Sequence, residues 1–333
     1  MNELRWNPLS QRWVTIATDR ASRPQDFAPR RLQVEADLGR PCPFCPGNEE
    51  ETPPALETYG PQGKWLVRVV PNLYPAFAGS GRLETTQRGP AHRRASANGI
   101  HEVLVFSPEH SSSWADLDDR QAGLVMAAIR DRVEDHARSA AVEYTQVIVN
   151  YGREAGASIE HPHGQLLGIP FVPGEITEEL AAFSQPLGDE PGEGGLLTDV
   201  LRYELASGQR IVHDEPRVTV LCPYWSGSPY EMLVAPKAQV AHLDKASPRD
   251  VAAVGRALRT ALAKLRLLLD DVAYNLVFHS APHGRGGPPA PFHWHVHVVP
   301  AVTTVAGFEM GTGVKINVVE PEAAAAQLRD QPG

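Results

Sequence analysis

The sequence predicts an α+β fold built from two related halves. Three observations carry that reading: a strand–helix–strand–strand pattern that occurs twice, a long amphipathic helix in each copy, and a closing strand in each copy with histidines at alternate positions. In the first copy a strand from His101 (HEVLVFSPEH) precedes a helix from about Trp114 to Ala140, where Leu117, Leu124, Val125, Ala128, Ile129 and Val133 recur at helical spacing. A strand at 144–150 and a His-bearing strand from His161 follow. The second copy runs through a strand at 230–236 and a helix from about Pro248 to Asp270 with Val251, Val254, Leu258, Leu262, Leu265 and Leu269 on one face. It ends in a strand at 274–280 and a His-bearing strand from Phe292. Equivalent positions across the copies read as Glu102 and Glu231, Asn150 and Asn275, and His163 and His295.

The remaining segments are placed around this repeat. The opening LRWNPLSQRWVTIATDR alternates in polarity and predicts strand–turn–strand. Gly79 to Gly99, rich in Gly, Ser and Arg, reads as a loop, as does Ala281 to Pro291. Gln185 to Gly195 (QPLGDEPGEGG) reads as a linker, dividing the chain into 1–184, 185–195 and 196–333. Length, at 333 residues, suits two ordinary domains. With 31 basic and 40 acidic residues the net charge is −9, which argues against a nucleic-acid partner. No apolar stretch resembles a signal peptide or a membrane span, and three cysteines make no disulfide framework, so a cytoplasmic protein with no membrane partner is expected.

Four constellations carry chemistry. Cys42-Pro-Phe-Cys45 is a lone CxxC: a redox pair, half a zinc site or coincidence. Its crowding by Pro41, Pro43, Pro46 and Gly47 suits a metal knuckle better than the helix start of a redox pair. A four-ligand zinc site would then need histidines, for which His110 and His161 are best placed. His161-Pro-His163-Gly-Gln165 sets two imidazoles and an amide on one strand face. A neutral histidine can attack phosphorus, and a neutral amide can donate to a phosphoryl oxygen without trapping the anion. A pair of hydrogen-bonded structural histidines is the bland alternative. His293, His295 and His297 alternate likewise and suit Zn or Fe, or else mark a degenerate second nucleotide site left by duplication. Arg20 and Arg23 offer forks for phosphate oxygens, although two surface arginines alone are commonly just solvated. His92, His136, His213, His242 and His283 have no partner visible in sequence and read as surface groups.

Taken in order, NPLSQRWV with DRASRP, CPFCPGNEEETPP, VRVVPNLYPAF, HEVLVFSPEH, the Asn150 to Gln165 segment and FHWHVHVVP resemble the galactose-1-phosphate uridylyltransferases of the histidine-triad superfamily, over nearly the whole chain. The resemblance implies two histidine-triad-like halves, each an antiparallel sheet with a packed helix. It implies a structural zinc on Cys42, Cys45, His110 and His161, with His163 as nucleophile and Gln165 holding the transferred phosphoryl group. It further implies nucleotide and phosphate contacts from Arg20, Arg23, Asn72, Asn150, Gly156 and Ser158, a sugar contact from Glu309, and a second metal, iron or zinc, on Glu179, His279, His295 and His297. The implied reaction passes uridylyl from a UDP-hexose to a hexose 1-phosphate by way of His163, in a homodimer. Departures are also visible. Thr303-Thr304 stands where well-studied bacterial members have Lys-Phe, and Lys315 where a nucleotide-contacting Gln is expected. The GTGVKIN segment resembles the archaeal-like branch and its ADP-sugar phosphorylase relatives. An ADP-sugar or dinucleoside polyphosphate phosphorylase using inorganic phosphate is therefore the alternative, and a non-catalytic nucleotide-binding protein a third.

Overall fold

A computed structural model describes residues 2–19, 41–185, 195–284 and 292–333. The chain opens with the expected hairpin, β1 (Glu3–Asn7) and β2 (Arg12–Ile16). The first half continues through β3 (Glu57–Tyr59), β4 (Val67–Pro71), β5 (Thr86–Arg88), β6 (His92–Arg94), β7 (Ile100–Val105), α1 (Asp119–Arg138), β8 (Tyr144–Tyr151), β9 (His163–Ile169) and α2 (Gly174–Phe183). The second half contains α3 (Leu196–Ser207), β10 (Ile211–Asp214), β11 (Val218–Leu221), β12 (Met232–Pro236), α4 (Pro248–Leu269), β13 (Tyr274–His279) and β14 (His295–Pro300). It closes with α5 (Gly307–Thr312), β15 (Lys315–Asn317) and α6 (Pro321–Arg329); β15 returns to pair in parallel with β2.

One antiparallel sheet runs through both halves in the order β10-β11-β12-β14-β13-β8-β9-β7-β4-β3. The order is symmetric about the β13–β8 seam, where Ile148 pairs with Val277. The register locates the equivalences. Val103 pairs with Gln165 and Leu233 with His297. One pleat earlier on each strand stand His101 and Glu231, which are therefore the matching residues. Ile148 pairs with Gln165 and Val277 with His297, so that one pleat later Asn150 matches His279. The reading of Glu102 with Glu231 and Asn150 with Asn275 is thus corrected: Asn150 and Asn275 are direct cross-strand partners, 2.8 Å apart through their amides. The match of His163 with His295 stands.

Helices α1 and α4 cover one face of this sheet. Asp118 caps α1 by accepting from the Gln121 amide, and Ser247 caps α4 by accepting from Asp250, with Pro248 at its first turn. Their apolar stripes, including Val125, Ile129 and Val133 on α1 and Val254, Leu258 and Leu265 on α4, bury against Leu104, Val147, Leu166, Leu276, Val296 and Val298 of the sheet. Strand alternation then sends His101, Asn150, His163, Gln165, His279, His295 and His297 to the opposite face.

Three local expectations change. The α-helix begins at Asp119 rather than near Trp114, because Ser113 and Asp116 close a separate short turn over Trp114–Asp116. The 79–99 segment is not only loop: β5 and β6 form a hairpin above a Gly79–Gly99 bridge. Both its strands are wholly exposed, so they carry none of the apolar alternation that reveals a strand. His136 is fully buried, not on the surface: it lies 3.2 Å from the Thr145 hydroxyl and 3.3 Å from the Glu102 carboxylate. Arg132 binds that carboxylate at 2.6 Å, and His283 reaches the same hydroxyl at 2.7 Å. His213 is half-buried beside Glu215, and His242 is half-buried, whereas His92 is exposed as expected. Most of the expected 185–195 linker lies outside the described residues, as do Arg20, Arg23 and much of 281–291.

The α1–α4 contact depends on Gly255, whose carbonyl accepts from the Trp114 indole at 3.1 Å and where an added Cβ would sit 2.6 Å from the Ala122 carbonyl oxygen. Gly255→Val should cost about 1–3 kcal/mol by overpacking, read as a lower urea midpoint; an unchanged midpoint would contradict this account of the helix seam.

Candidate active site

His163 opens β9 and is almost fully buried. Its Nδ1–H donates to the His161 carbonyl at 2.8 Å, so Nε2 carries the lone pair. Burial holds its pKa below the usual imidazole value, which keeps the ring neutral. Phe44, from the Cys42–Cys45 loop, packs against the ring at a centroid distance of 5.4 Å. Gly164 lets β9 approach β8: a Cβ there would meet the Ile148 carbonyl at 3.0 Å. Gln165 lies on the same strand face as His163, its side-chain oxygen 2.9 Å from His101 Nε2. Asn72 reaches the same imidazole nitrogen at 3.2 Å. The structure therefore brings His163, Gln165, Asn150 and Asn72 to one face, together with His101, which sequence reasoning left unassigned. Gly156 and Ser158 lie exposed on the turn after β8, with Gly156 in a left-handed conformation beside Asn150. Glu309, half-buried on α5, caps that helix by accepting from the Ala306 amide at 3.1 Å.

Two further clusters could each hold a metal ion. The ligand atoms of Cys42, Cys45, His110 and His161 lie within 4.8 Å of one another. Cys45 Sγ is 3.3 Å from His110 Nδ1 and 3.6 Å from His161 Nδ1. The knuckle turns at Gly47, with φ +91°, and Asn48 ties back to the Cys42 carbonyl. His161 Nε2–H donates to the Ser107 carbonyl at 2.7 Å, which leaves Nδ1 to face the thiols. Burial and then neighbouring Cys42 push the Cys45 thiol up to about 11, a cost that a bound cation would reverse. The donor set of two sulfurs and two imidazoles fits a tetrahedral ion.

The second cluster joins Glu179 of α2 to His279, His295 and His297, again within 4.8 Å. Glu179 lies 2.9 Å from His279 Nδ1 and 3.4 Å from His295 Nε2. His295 Nδ1–H donates to the His293 carbonyl at 2.9 Å, the same arrangement as at His163. Its Nε2 lone pair meets His297 Nε2 at 3.1 Å, where two converging nitrogens suit a shared cation. The expectation of three convergent imidazoles at 293, 295 and 297 is corrected. His293 precedes the strand, is fully buried, and donates from Nε2 to the Pro236 carbonyl at 2.7 Å. His279 from the neighbouring strand takes its place.

Residues 1–173 match the sequence model described as "Galactose-1-phosphate uridyl transferase, N-terminal domain". An ADP-glucose phosphorylase of Arabidopsis thaliana is 31% identical over 98% of this chain and 92% of its own length. The chain belongs to the galactose-1-phosphate uridylyltransferase family. A galactose-1-phosphate uridylyltransferase of Thermotoga maritima is 29% identical over 99% of this chain and 98% of its own. Among solved structures, an Arabidopsis thaliana ADP-glucose phosphorylase with bound ADP-glucose aligns over 100% of both chains with a TM-score of 0.80 and 28% identity. As a family member the chain is an enzyme of the nucleotidyltransferase kind, which sets aside the non-catalytic reading. Of the positions where it departs from the bacterial uridylyltransferase pattern, Thr303 and Thr304 are exposed, and the Lys315 stem lies over Gly227. No helix among the described residues is long and apolar enough to cross a membrane.

Two outcomes follow. Burial holds His163 below its ordinary pKa and His293 at about 4, while unfolded histidine titrates near 6.5. The unfolded chain then binds more protons in that window, so these groups cost stability as pH falls from 6.5 towards 4 and nothing above it. Urea midpoints of metal-free protein should drop across that range; a flat profile would contradict neutral burial. Separately, Cys45→Ser should release metal from the first cluster and His279→Ala from the second, each leaving the other filled in elemental analysis.

Proposed function

We propose that this chain transfers a nucleoside monophosphate from a UDP-hexose to a hexose 1-phosphate through a covalent intermediate on His163. The observation that carries this reading is the bond from His163 Nδ1–H to the His161 carbonyl, which leaves the Nε2 lone pair available to attack. The Nε2 lone pair attacks the α-phosphorus, a P–N bond forms, and the bond to the β-phosphate oxygen breaks. The leaving hexose 1-phosphate is already a stable anion and needs no general acid. An oxygen of the incoming sugar phosphate then attacks the same phosphorus, and the P–N bond returns its electron pair to Nε2. While the imidazole carries positive charge, the His161 carbonyl stabilises Nδ1–H. Gln165 donates its amide to a non-bridging oxygen. Asn72, Asn150, Gly156 and Ser158, with Arg20 and Arg23, bind the nucleotide and phosphates, and Glu309 the sugar.

In this reading Cys42, Cys45, His110 and His161 would hold zinc, which would fasten the loop that carries Phe44. Glu179, His279, His295 and His297 would hold iron or zinc in a supporting role. The enzyme acts in the cytoplasm as a homodimer, with halves 1–184 and 196–333 joined by 185–195. A second reading, phosphorolysis of an ADP-sugar by inorganic phosphate, is favoured by the 31% identity to the Arabidopsis thaliana ADP-glucose phosphorylase and by Thr303, Thr304 and the GTGVKIN segment. A dinucleoside polyphosphate would be an alternative donor to the same phosphate acceptor.

Intact-protein mass after brief exposure to UDP-glucose, UDP-galactose or ADP-glucose, each without acceptor, decides between them. One nucleoside monophosphate should appear on the wild type and not on His163→Gly. The donor that labels names the base, and discharge by hexose 1-phosphate or by inorganic phosphate names the acceptor. No label from any donor would remove the reading.

A further inference from the structure

The Gln165 amide can serve the phosphoryl group in only one of its two orientations: nitrogen towards the ligand, oxygen away. A glutamine side chain has no intrinsic preference between them, so a neighbour has to choose. His101 is placed to do so. The backbone N–H of Ala76 donates to His101 Nδ1 at 3.1 Å. That nitrogen is therefore an acceptor, and the ring proton resides on Nε2. Nε2 lies 2.9 Å from Gln165 Oε1. We propose that His101 is a positioning residue for nucleotidyl transfer, its Nε2–H pinning the Gln165 side-chain oxygen so that the amide hydrogens face the phosphoryl group. The proposal rests on the function proposed above.

Asn72 leaves an unmatched contact on the other side of the ring. Its side-chain oxygen accepts from the Tyr74 amide at 2.8 Å, which turns its NH2 group towards His101. That NH2 lies 3.2 Å from His101 Nε2, and two donors cannot satisfy each other. An acceptor supplied by the ligand resolves the contact, and a phosphoryl oxygen drawn to the Asn72 and Gln165 amides together would do so.

The second half offers an independent parallel. Glu231 occupies the strand position that matches His101, and it too faces the third residue of the histidine strand: its carboxylate lies 3.7 Å from His297 Nδ1, leaving Nε2 to the cluster. Glu231 is itself fixed by the Gly227 and Ser228 amides, at 2.8 and 3.1 Å. The same place in each half faces the same neighbour, a donor beside an amide and a carboxylate beside an imidazole.

The test is a double-mutant cycle on rates of adduct formation with the donor that labels wild-type protein. His101→Ala should slow the step roughly 10- to 100-fold, less than outright loss of an oxyanion donor, with KM nearly unchanged. It should also shrink the preference between the two α-phosphorothioate diastereomers of the donor, because the amide no longer selects one oxygen. His101→Ala on a Gln165→Ala background should cost little more. His101→Gln, which can donate but is not locked as a donor, should fall between. Melting temperature and metal content report folding, and if His101→Ala fails to fold, His101→Gln carries the same cycle. Full additivity with Gln165→Ala, or an unchanged diastereomer preference, would overturn the positioning role while leaving the covalent route intact. Absence of any adduct on wild-type protein would instead remove the function on which it rests.

Discussion

A single hydrogen bond, made twice, organises both ends of this molecule. In each half a histidine at the start of a strand donates from Nδ1 to the carbonyl two residues before it: His163 to His161 and His295 to His293. A neutral imidazole has one donor and one acceptor nitrogen, so a bond to the backbone settles which is which without any side-chain partner. On the sheet face away from α1 and α4 this leaves an Nε2 lone pair in both halves. In the first half nothing ionisable is bonded to that lone pair among the described residues, and phosphorus chemistry becomes available. In the second, Glu179, His279 and His297 converge on it, and the cluster could hold a metal ion.

The divergence on the sheet is a matter of three places beside the shared histidine. His101, Asn150, His163 and Gln165 in the first half stand where Glu231, His279, His295 and His297 stand in the second. Neutral hydrogen-bonding groups suit an anion that has to arrive and leave. Imidazoles with a carboxylate suit a cation that has to stay. Helices α1 and α4 meanwhile keep the same apolar job behind both, which is why the fold tolerates opposite chemistry on its two open surfaces.

What could be read ahead of the structure follows from range. The strand period that pairs His163 with Gln165 spans a few residues, and the repeat of helix and strands is written in apolar spacing. The knuckle at Cys42 and Cys45 is equally local. Its completion by His110 and His161 was open in spacing alone and became specific through family resemblance. Glu179 sits on a helix far from its partners, and only resemblance pointed to it. Sequence offsets misaligned the halves at Glu231 and Asn275, because loops of unequal length shift a register that only hydrogen bonding defines. His136 looked like one more charged residue in DRVEDHAR; Glu102 and Thr145, arriving from two strands, make it a buried one. His101 had no visible role because Ala76 and Gln165 meet it only after the sheet forms.

The seam at Ile148 and Val277 has a consequence for how such a molecule can change over generations. Where two identical chains meet across a two-fold axis, every substitution appears in both active surfaces at once. Here the axis runs through one continuous chain, and the matching positions are encoded separately. A mutation can therefore change one surface and leave its twin as it was, and the shared sheet holds the altered half in place. Covalent continuity across the axis is thus what permits matching places to carry different side chains.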